Sequence, residues 1–563
     1  MSASTRLGQA WNRYWFGARA PLSIEVVRIG VAAALLAAWR SMTVSSYHEL
    51  LARYPEGAYR PLGLLRIFGG DPPPVWCLEG LKWLALVGAV FVLIGLVTRP
   101  SLVVTTLSMC LLVGLREAFG KSWHHSFTPV LVAAIAFMFA PAGRRLAVDA
   151  LLRRRLGRPA PPEPPAWPVR LVQLAAALLF FNAVYWKLAR AGLSWALSDS
   201  LRHHILAQFD WAGHQRTPLA DYLVHHELAW KAAALANMFT QAVPIAACFL
   251  HRRPLLRAAC GLFFVVETLL LDLVMDLPNY QLLPLVVVFV DWDRFVPWLR
   301  RRLRRGDPPE PPPPAAPAPP EMTPRAHRLA GGFIALFLLG NLVVAFAPPR
   351  GLDVTLNLYP LSQYPMFSQA RAKEPYDVHQ SWEYETIRFS IDDMPAGPRR
   401  ARIERALDTR FRRRWSARDP ALVERLLLEA RKAYKLKDRT ITASYALLVA
   451  PPYPAEPELA IHTIGVLGRL EHRTFRSLLG TAGVDDRGRH YLEPRPTGVS
   501  LPPGARITCI LDNDPTEHEL PVQAEGGRLY YQPLGDAVHT FVAEVGGERY
   551  ILGDTLTHPP ADE

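Results

Sequence analysis

Cysteine is scarce in this chain of 563 residues, and the five present follow no pattern that cysteine chemistry needs. Cys77, Cys110, Cys248, Cys260 and Cys509 are odd in number and show no CxxC spacing. Three of them lie inside apolar runs, which excludes a disulfide framework and a thiolate zinc site. Only a bridge between Cys77 and Cys509 is conceivable, if both face an oxidising compartment. The chain also lacks HExxH, a P-loop, GxGxxG and GxSxG. Those absences remove zincin, nucleotide-hydrolase, dinucleotide-binding and α/β-hydrolase readings. No small-residue cleavage site follows the first apolar run before Tyr47, so that run reads as a retained span and not as a signal peptide. Acidic residues are outnumbered, 50 against 63 basic, for a net charge of +13. On a soluble fold this would suggest nucleic acid. Here the arginines cluster between apolar segments, which marks cytoplasmic loops and predicts no nucleic-acid partner.

What the chain has in quantity is apolar runs. Nine candidate spans fall at about 22–40, 75–97, 100–116, 127–141, 169–187, 229–250, 254–275, 279–297 and 328–347. Arginines crowd the segments 142–167, 251–257 and 298–327, while 272–279 carries Asp272 and Asp276 and no basic residue. The alternation predicts nine spans with the N-terminus cytoplasmic and everything after Ala347 outside. Proline-rich stretches at 159–168 and 308–324 read as semi-rigid linkers. Beyond the last span, Arg399–Ser416 and Ala421–Tyr434 have helical patterning, and from Thr440 onward short β-type runs alternate with turns. The expected fold is a polytopic α-helical membrane bundle of about nine spans followed by a soluble exoplasmic α+β domain with a β-rich second half. The expected divisions are 1–21, a cytoplasmic N-terminal segment; 22–347, the membrane domain; 348–384, an exoplasmic connector; and 385–563, the soluble domain.

The segment PVRLVQLAAALLFFNAVYWKLARAGLSW, residues 168–195, carries the chemistry. Its apolar run ends in Lys187, with Trp195 following and Phe181, Tyr185 and Trp186 alongside. A lysine at the mouth of a span can snorkel into the headgroups. Partly desolvated, the same amine is a usable base at neutral pH. Leu193, Leu197, Leu201, Ile205 and Phe209 recur every four residues, which predicts a helix lying in the outer interface. His124, His125, His203, His204, His214, His225 and His226 gather on the same outer side. Adjacent histidines diverge by about 100° on a helix. They therefore read as interfacial imidazoles satisfied by water, with no metal site expected.

GLVTR (95–99), WHHSF (123–127) and FFNAVYWKLARAGLSW (180–195), in that order, resemble the membrane domain of vitamin K-dependent γ-glutamyl carboxylase. In bacterial proteins this is the HTTM (horizontally transferred transmembrane) domain. YPMFSQAR (364–371) is similar to the segment that opens the carboxylase's luminal domain. The resemblance covers roughly residues 20–372 and does not extend beyond 384. It implies Lys187 as the base that deprotonates a reduced quinone of the vitamin K hydroquinone type, with His125 supporting the developing oxyanion. His124 stands where the family has asparagine, and His124, Trp195, Tyr364 and Arg371 are implied on the substrate side. O2 and CO2 are the implied co-substrates, and membrane lipid, quinone and an exoplasmic peptide or protein the partners. The location implied is a bacterial inner or plasma membrane. Quinol oxidation to the epoxide has more support than coupled glutamate carboxylation, because the soluble tail does not match. The rival reading is non-enzymatic: a membrane bundle that anchors the exoplasmic domain or binds lipid or a partner protein.

Overall fold

A computed structural model describes residues 3–17, 20–43, 72–118, 127–160, 163–206, 215–303, 322–346 and 376–390 except 385–386, with most of 440–554 and a few isolated positions. The first part is helical. It runs through α1 (Ala3–Trp15), α2 (Pro21–Thr43), α3 (Val75–Ile94), α4 (Thr98–Glu117), α5 (Thr128–Met138), α6 (Val148–Arg155) and α7 (Trp167–Ala191). Two short helices, α8 (Ser194–Leu197) and α9 (Ser200–Leu206), precede α10 (Pro218–His225) and α11 (Glu227–Ala242). Then come α12 (Pro254–Met275), α13 (Trp292–Leu303) and α14 (Pro324–Phe346). Prolines stand at the first or second position of α5, α7, α10 and α12, where the missing N–H would be unpaired anyway.

Among the described residues, six helices are long and apolar enough to cross a membrane: Pro21–Ser41, Val75–Ile94, Thr98–Leu115, Trp167–Ala189, Pro254–Met275 and Pro324–Val343. The other three apolar runs take different forms. Thr128–Met138 is about 16 Å long at 1.5 Å per residue, short of a ~30 Å hydrocarbon core. It is buried along most of its length, so its neighbours and not lipid surround it. The run at 229–250 is α11 continued as a 3₁₀ helix, Val243–Cys248, that begins where Pro244 interrupts the ladder. The run at 279–297 divides into a 3₁₀ helix, Tyr280–Phe289 with Pro284 inside it, and the separate α13. Glycines admit this 3₁₀ segment: a Cβ on Gly30 would lie 2.7 Å from Pro284 O, and one on Gly261 2.6 Å from Phe289 Cβ.

Hydrogen bonds sort the helix ends into two sets. In the first, Glu25 accepts from the backbone N–H groups of Gly143, Arg144 and Arg145. Arg28, fully buried, donates to the carbonyls of Val92, Leu93 and Leu146. Asp149 accepts from Val97 N and Thr98 N, 2.8 Å each. Asp293 accepts from Leu22 N and Ser23 N, capping α2, and Tyr14 Oη donates to Cys248 O. In the second set, Trp39 Nε1 donates to Lys82 O, Arg202 Nε to Val224 O and Gln215 N to Asp276. The arginines at 144–155 and 252–257 belong to the first set of ends.

The C-terminal region is built of strands. β1 (Tyr376–Tyr384), β2 (Ile387–Ser390), β3 (Ile441–Val449), β4 (Ala460–Glu471) and β5 (Thr474–Arg476) come first. They are followed by β6 (Thr481–Val484), β7 (His490–Glu493), β8 (Arg506–Leu511) and β9 (Asp514–Glu519). The last four are β10 (Gln523–Glu525), β11 (Arg528–Tyr531), β12 (His539–Val545) and β13 (Glu548–Asp554). One sheet has the order β2-β1-β3-β4-β13-β12-β8-β9, with β5 beside β4, and a second has β10-β11-β7-β6. The β12–β13 pairing is antiparallel, and Gly546 and Gly547, both at positive φ, make the turn between them. Of the two helices expected before the strands, Arg399–Ser416 lies outside the described residues. Within 421–434, Glu424, Leu427, Leu428 and Arg431 are helical.

Candidate functional site

The site is built on three helices. α7 carries Lys187 three residues beyond Val184 of the apolar core. Rather than reaching the headgroups, its side chain turns inward and is 2% exposed. Nζ donates to Asn237 Oδ1 at 2.6 Å and to Gln241 Oε1 at 2.9 Å. Asn237, Thr240 and Gln241 stand at i, i+3 and i+4 on α11 and so share one face. From the other side of that face, α12 presents Glu267, which is 0% exposed. Asn237 Nδ2 and Gln241 Nε2 donate to Glu267 Oε1 at 2.7 and 2.8 Å, and the Thr240 hydroxyl donates to Oε2.

The chemistry of the two ends fixes the amides between them. An ammonium only donates and an ionised carboxylate only accepts, so each amide must turn its oxygen to Lys187 and its NH2 to Glu267. Three donors on one carboxylate describe an anion, so the buried network is neutral as a whole when Lys187 is an ammonium and carries one negative charge when it is an amine. The amides also cannot pass a proton from one end to the other without becoming imidic acids. A proton taken up at Lys187 therefore stays at that nitrogen.

Trp195, on α8, lies on the remaining side of the amine, with Nζ 4.2 Å from the ring centroid. A neutral amine would give both its hydrogens to the two carbonyls and keep one lone pair. An ammonium would have one further hydrogen, attracted by the aromatic face. The arrangement thus holds one exchangeable proton at Nζ, beside Trp195 and the apolar cluster that Trp195 forms with Val184, Ile205 and Trp230.

Of the residues singled out from sequence, Lys187 and Trp195 come together. His124, His125, Tyr364 and Arg371 lie outside the described residues. The row Leu193–Phe209 does not form one interfacial helix. The backbone is extended at Ser198, which splits it into α8 and α9, so Leu193 and Leu197 are exposed while Leu201, Ile205 and Phe209 are buried. His203 and His204 are buried too, the second with its ring 6.3 Å from that of Trp195, and neither is the water-exposed imidazole expected. GLVTR is a turn: Gly95 and Val97 have positive φ, and Asp149 fastens its N–H groups. All five cysteines are free, Cys509 being fully buried on β8. Among the described residues no three His, Cys, Asp or Glu side chains gather as a metal ion would require.

Sequence reasoning missed Asn237, Gln241 and Glu267. The signal was there: Glu267 is an acid in the middle of the apolar run 254–275, and such a residue needs a named partner. No family model, curated protein or solved structure matches the chain. The resemblance to the carboxylase membrane domain therefore rests on the quoted motifs alone.

Proposed function

We infer that this is a membrane-embedded quinol oxidase of the carboxylase-like kind, in which Lys187 accepts the proton of a reduced quinone. One observation carries the reading: a buried amine whose two amide partners leave a single proton position beside the Trp195 ring. A hydroquinone suits such a place, since it offers a flat apolar ring and an acidic hydroxyl. When bound, the reduced quinone would give four electrons in all to O2, one oxygen atom ending in the epoxide and the other in water. Lys187, resting as the neutral amine, would take the hydroxyl proton, Trp195 would stack or edge against the ring, and Glu267 would balance the ammonium so formed through Asn237 and Gln241. His125 remains the proposed donor to developing oxyanion charge, and Tyr364, Arg371 and His124 the proposed substrate contacts. Coupled capture of CO2 by a glutamate of an exoplasmic peptide is the further step the resemblance implies. The topology proposed with it has nine spans, with the N-terminus cytoplasmic and the C-terminal domain exoplasmic. The grouping of the basic loops at one set of helix ends supports that orientation.

Lys187→Met keeps length and apolar volume and removes the amine. Oxygen uptake by the purified protein, supplied with vitamin K hydroquinone, should fall by about 10²-fold or more, as when a positioned base is lost. Lys187→Arg should be as inactive, because guanidinium does not release its proton in this range. Wild-type rates in both variants would reject the base.

A second reading has its own support. The same network ties α7, α11 and α12 together, which is what a structural polar staple between membrane helices does. An anchoring protein would then show no quinol-dependent oxygen uptake, and Lys187→Met would change stability alone.

A further inference from the structure

At the opposite ends of α7 and α12, a second polar cluster has a composition that the staple and the quinol reading leave unused. His251 sits in the turn between the 3₁₀ helix Val243–Cys248 and α12, in the segment HRRPLLR (251–257) that runs on into the helix. The Arg170 guanidinium lies over the Tyr14 ring, 4.8 Å from its centroid, and the Tyr14 and His251 rings meet edge to face at 6.0 Å. Arg257, 8% exposed, donates through Nε to Phe289 O. Arg294 stands 3.6 Å from Asp291.

The charges do not cancel. Arg170, Arg252, Arg257 and Arg294 all act on His251, and the carboxylates acting on Arg257 are Asp291 and Asp293. Four cations against two anions leave an excess of two positive charges. Asp293 is further engaged by the N–H groups of Leu22 and Ser23. Burial, and then those four guanidiniums, hold the His251 imidazole below its ordinary range, so it adds a neutral donor and no further charge. Two buried atoms of the cluster, Arg170 Nη1 and His251 Nδ1, have no hydrogen-bond partner among the described residues.

The placement compounds the imbalance. Arg170, Arg257 and Arg294 each occupy the first turn of a helix, α7, α12 and α13. A helix N-terminus bears positive partial charge and favours anions, so three arginines there are of the wrong sign unless an anion joins them. Guanidinium forks with free N–H groups match phosphate oxygens, and basic pockets between membrane helices at the bilayer surface suit anionic headgroups.

We propose that Arg170, Arg257 and Arg294, gathered around His251 at the N-terminal ends of α7, α12 and α13, form with it a binding site for a phosphate group. The bearer is an anionic phospholipid headgroup or free phosphate. The site is independent of the chemistry proposed at Lys187.

The full-length protein in detergent would be titrated with dioctanoyl phosphatidylglycerol, dioctanoyl phosphatidylcholine and inorganic phosphate, and binding followed by calorimetry. The anionic lipid should bind at least about tenfold tighter than the zwitterionic one, given roughly a fivefold gain per basic residue near the surface. Arg170→Gln and Arg294→Gln should each weaken it by about fivefold. Arg155→Gln, on the exposed end of α6, should leave it unchanged. The Arg294 side chain is 60% exposed, so its variant tests binding without disturbing the fold. Displacement of the lipid by inorganic phosphate supports a site for the free anion, and failure to displace it supports a headgroup held also by its chains. Equal affinity for the two lipids, or wild-type affinity in Arg170→Gln and Arg294→Gln, would overturn the proposal.

Discussion

Glu267 and Lys187 are the residues on which the membrane domain has most at stake. Each is nearly unexposed, and each has its charge matched only through Asn237, Gln241 and Thr240. Removing one charge from a buried pair costs about 3–5 kcal/mol, because the other is left uncompensated. Replacing both by apolar groups of like volume is often close to neutral. Glu267→Leu and Lys187→Met should therefore each lower the thermal midpoint in detergent, and the double variant should recover most of the loss. Additive losses would mean that the two charges are not coupled through the amides. The cycle is informative about chemistry as well, since the double variant should be stable and still lack any quinol-dependent oxygen uptake.

At the scale of elements, turns and helix breaks have specific anchors. The turn between α3 and α4 places Val97 at positive φ, an uncommon conformation for a β-branched residue. It is held because Asp149, at the start of α6, accepts from both Val97 N and Thr98 N. Asp149→Ala should destabilise the bundle by about 1–3 kcal/mol, the cost of leaving those partners unmade. Hydrogen exchange at the Val97 and Thr98 amides should rise with it; unchanged exchange would show that the turn holds itself. Pro244 and Pro284 act in the other direction: each removes a donor inside an apolar run, and 3₁₀ geometry takes over there. Apolar length alone counted both runs as ordinary spans.

For the whole molecule, orientation is the property most open to direct test. A reporter fused after Arg350 should be active outside the cytoplasm and one fused at Gly306 inside, as the arginine alternation requires. The reverse pattern would overturn the proposed nine-span topology and the proposed placement of the Lys187 network in the outer leaflet. In the C-terminal region, β-type runs expected beyond Thr440 appear as β3, β12 and β13 because their signals are local: β-branched and aromatic residues, with Gly-Gly between the last two strands.

The apolar runs, the basic loops and the strands were written in the sequence because burial in lipid, loop charge and strand preference all depend on neighbours along the chain. So was the nearness of Lys187 to Trp195, eight residues on along one segment. The partners of Lys187 were not. Asn237 is 50 residues away and Glu267 is 30 beyond that, and nothing in local pattern pairs them. The cluster around His251 likewise joins α1, α7, α12 and α13, whose arginines read one by one as loop charge. Helix packing brought these residues together, since a polar group taken out of water must meet its partner wherever the fold puts one.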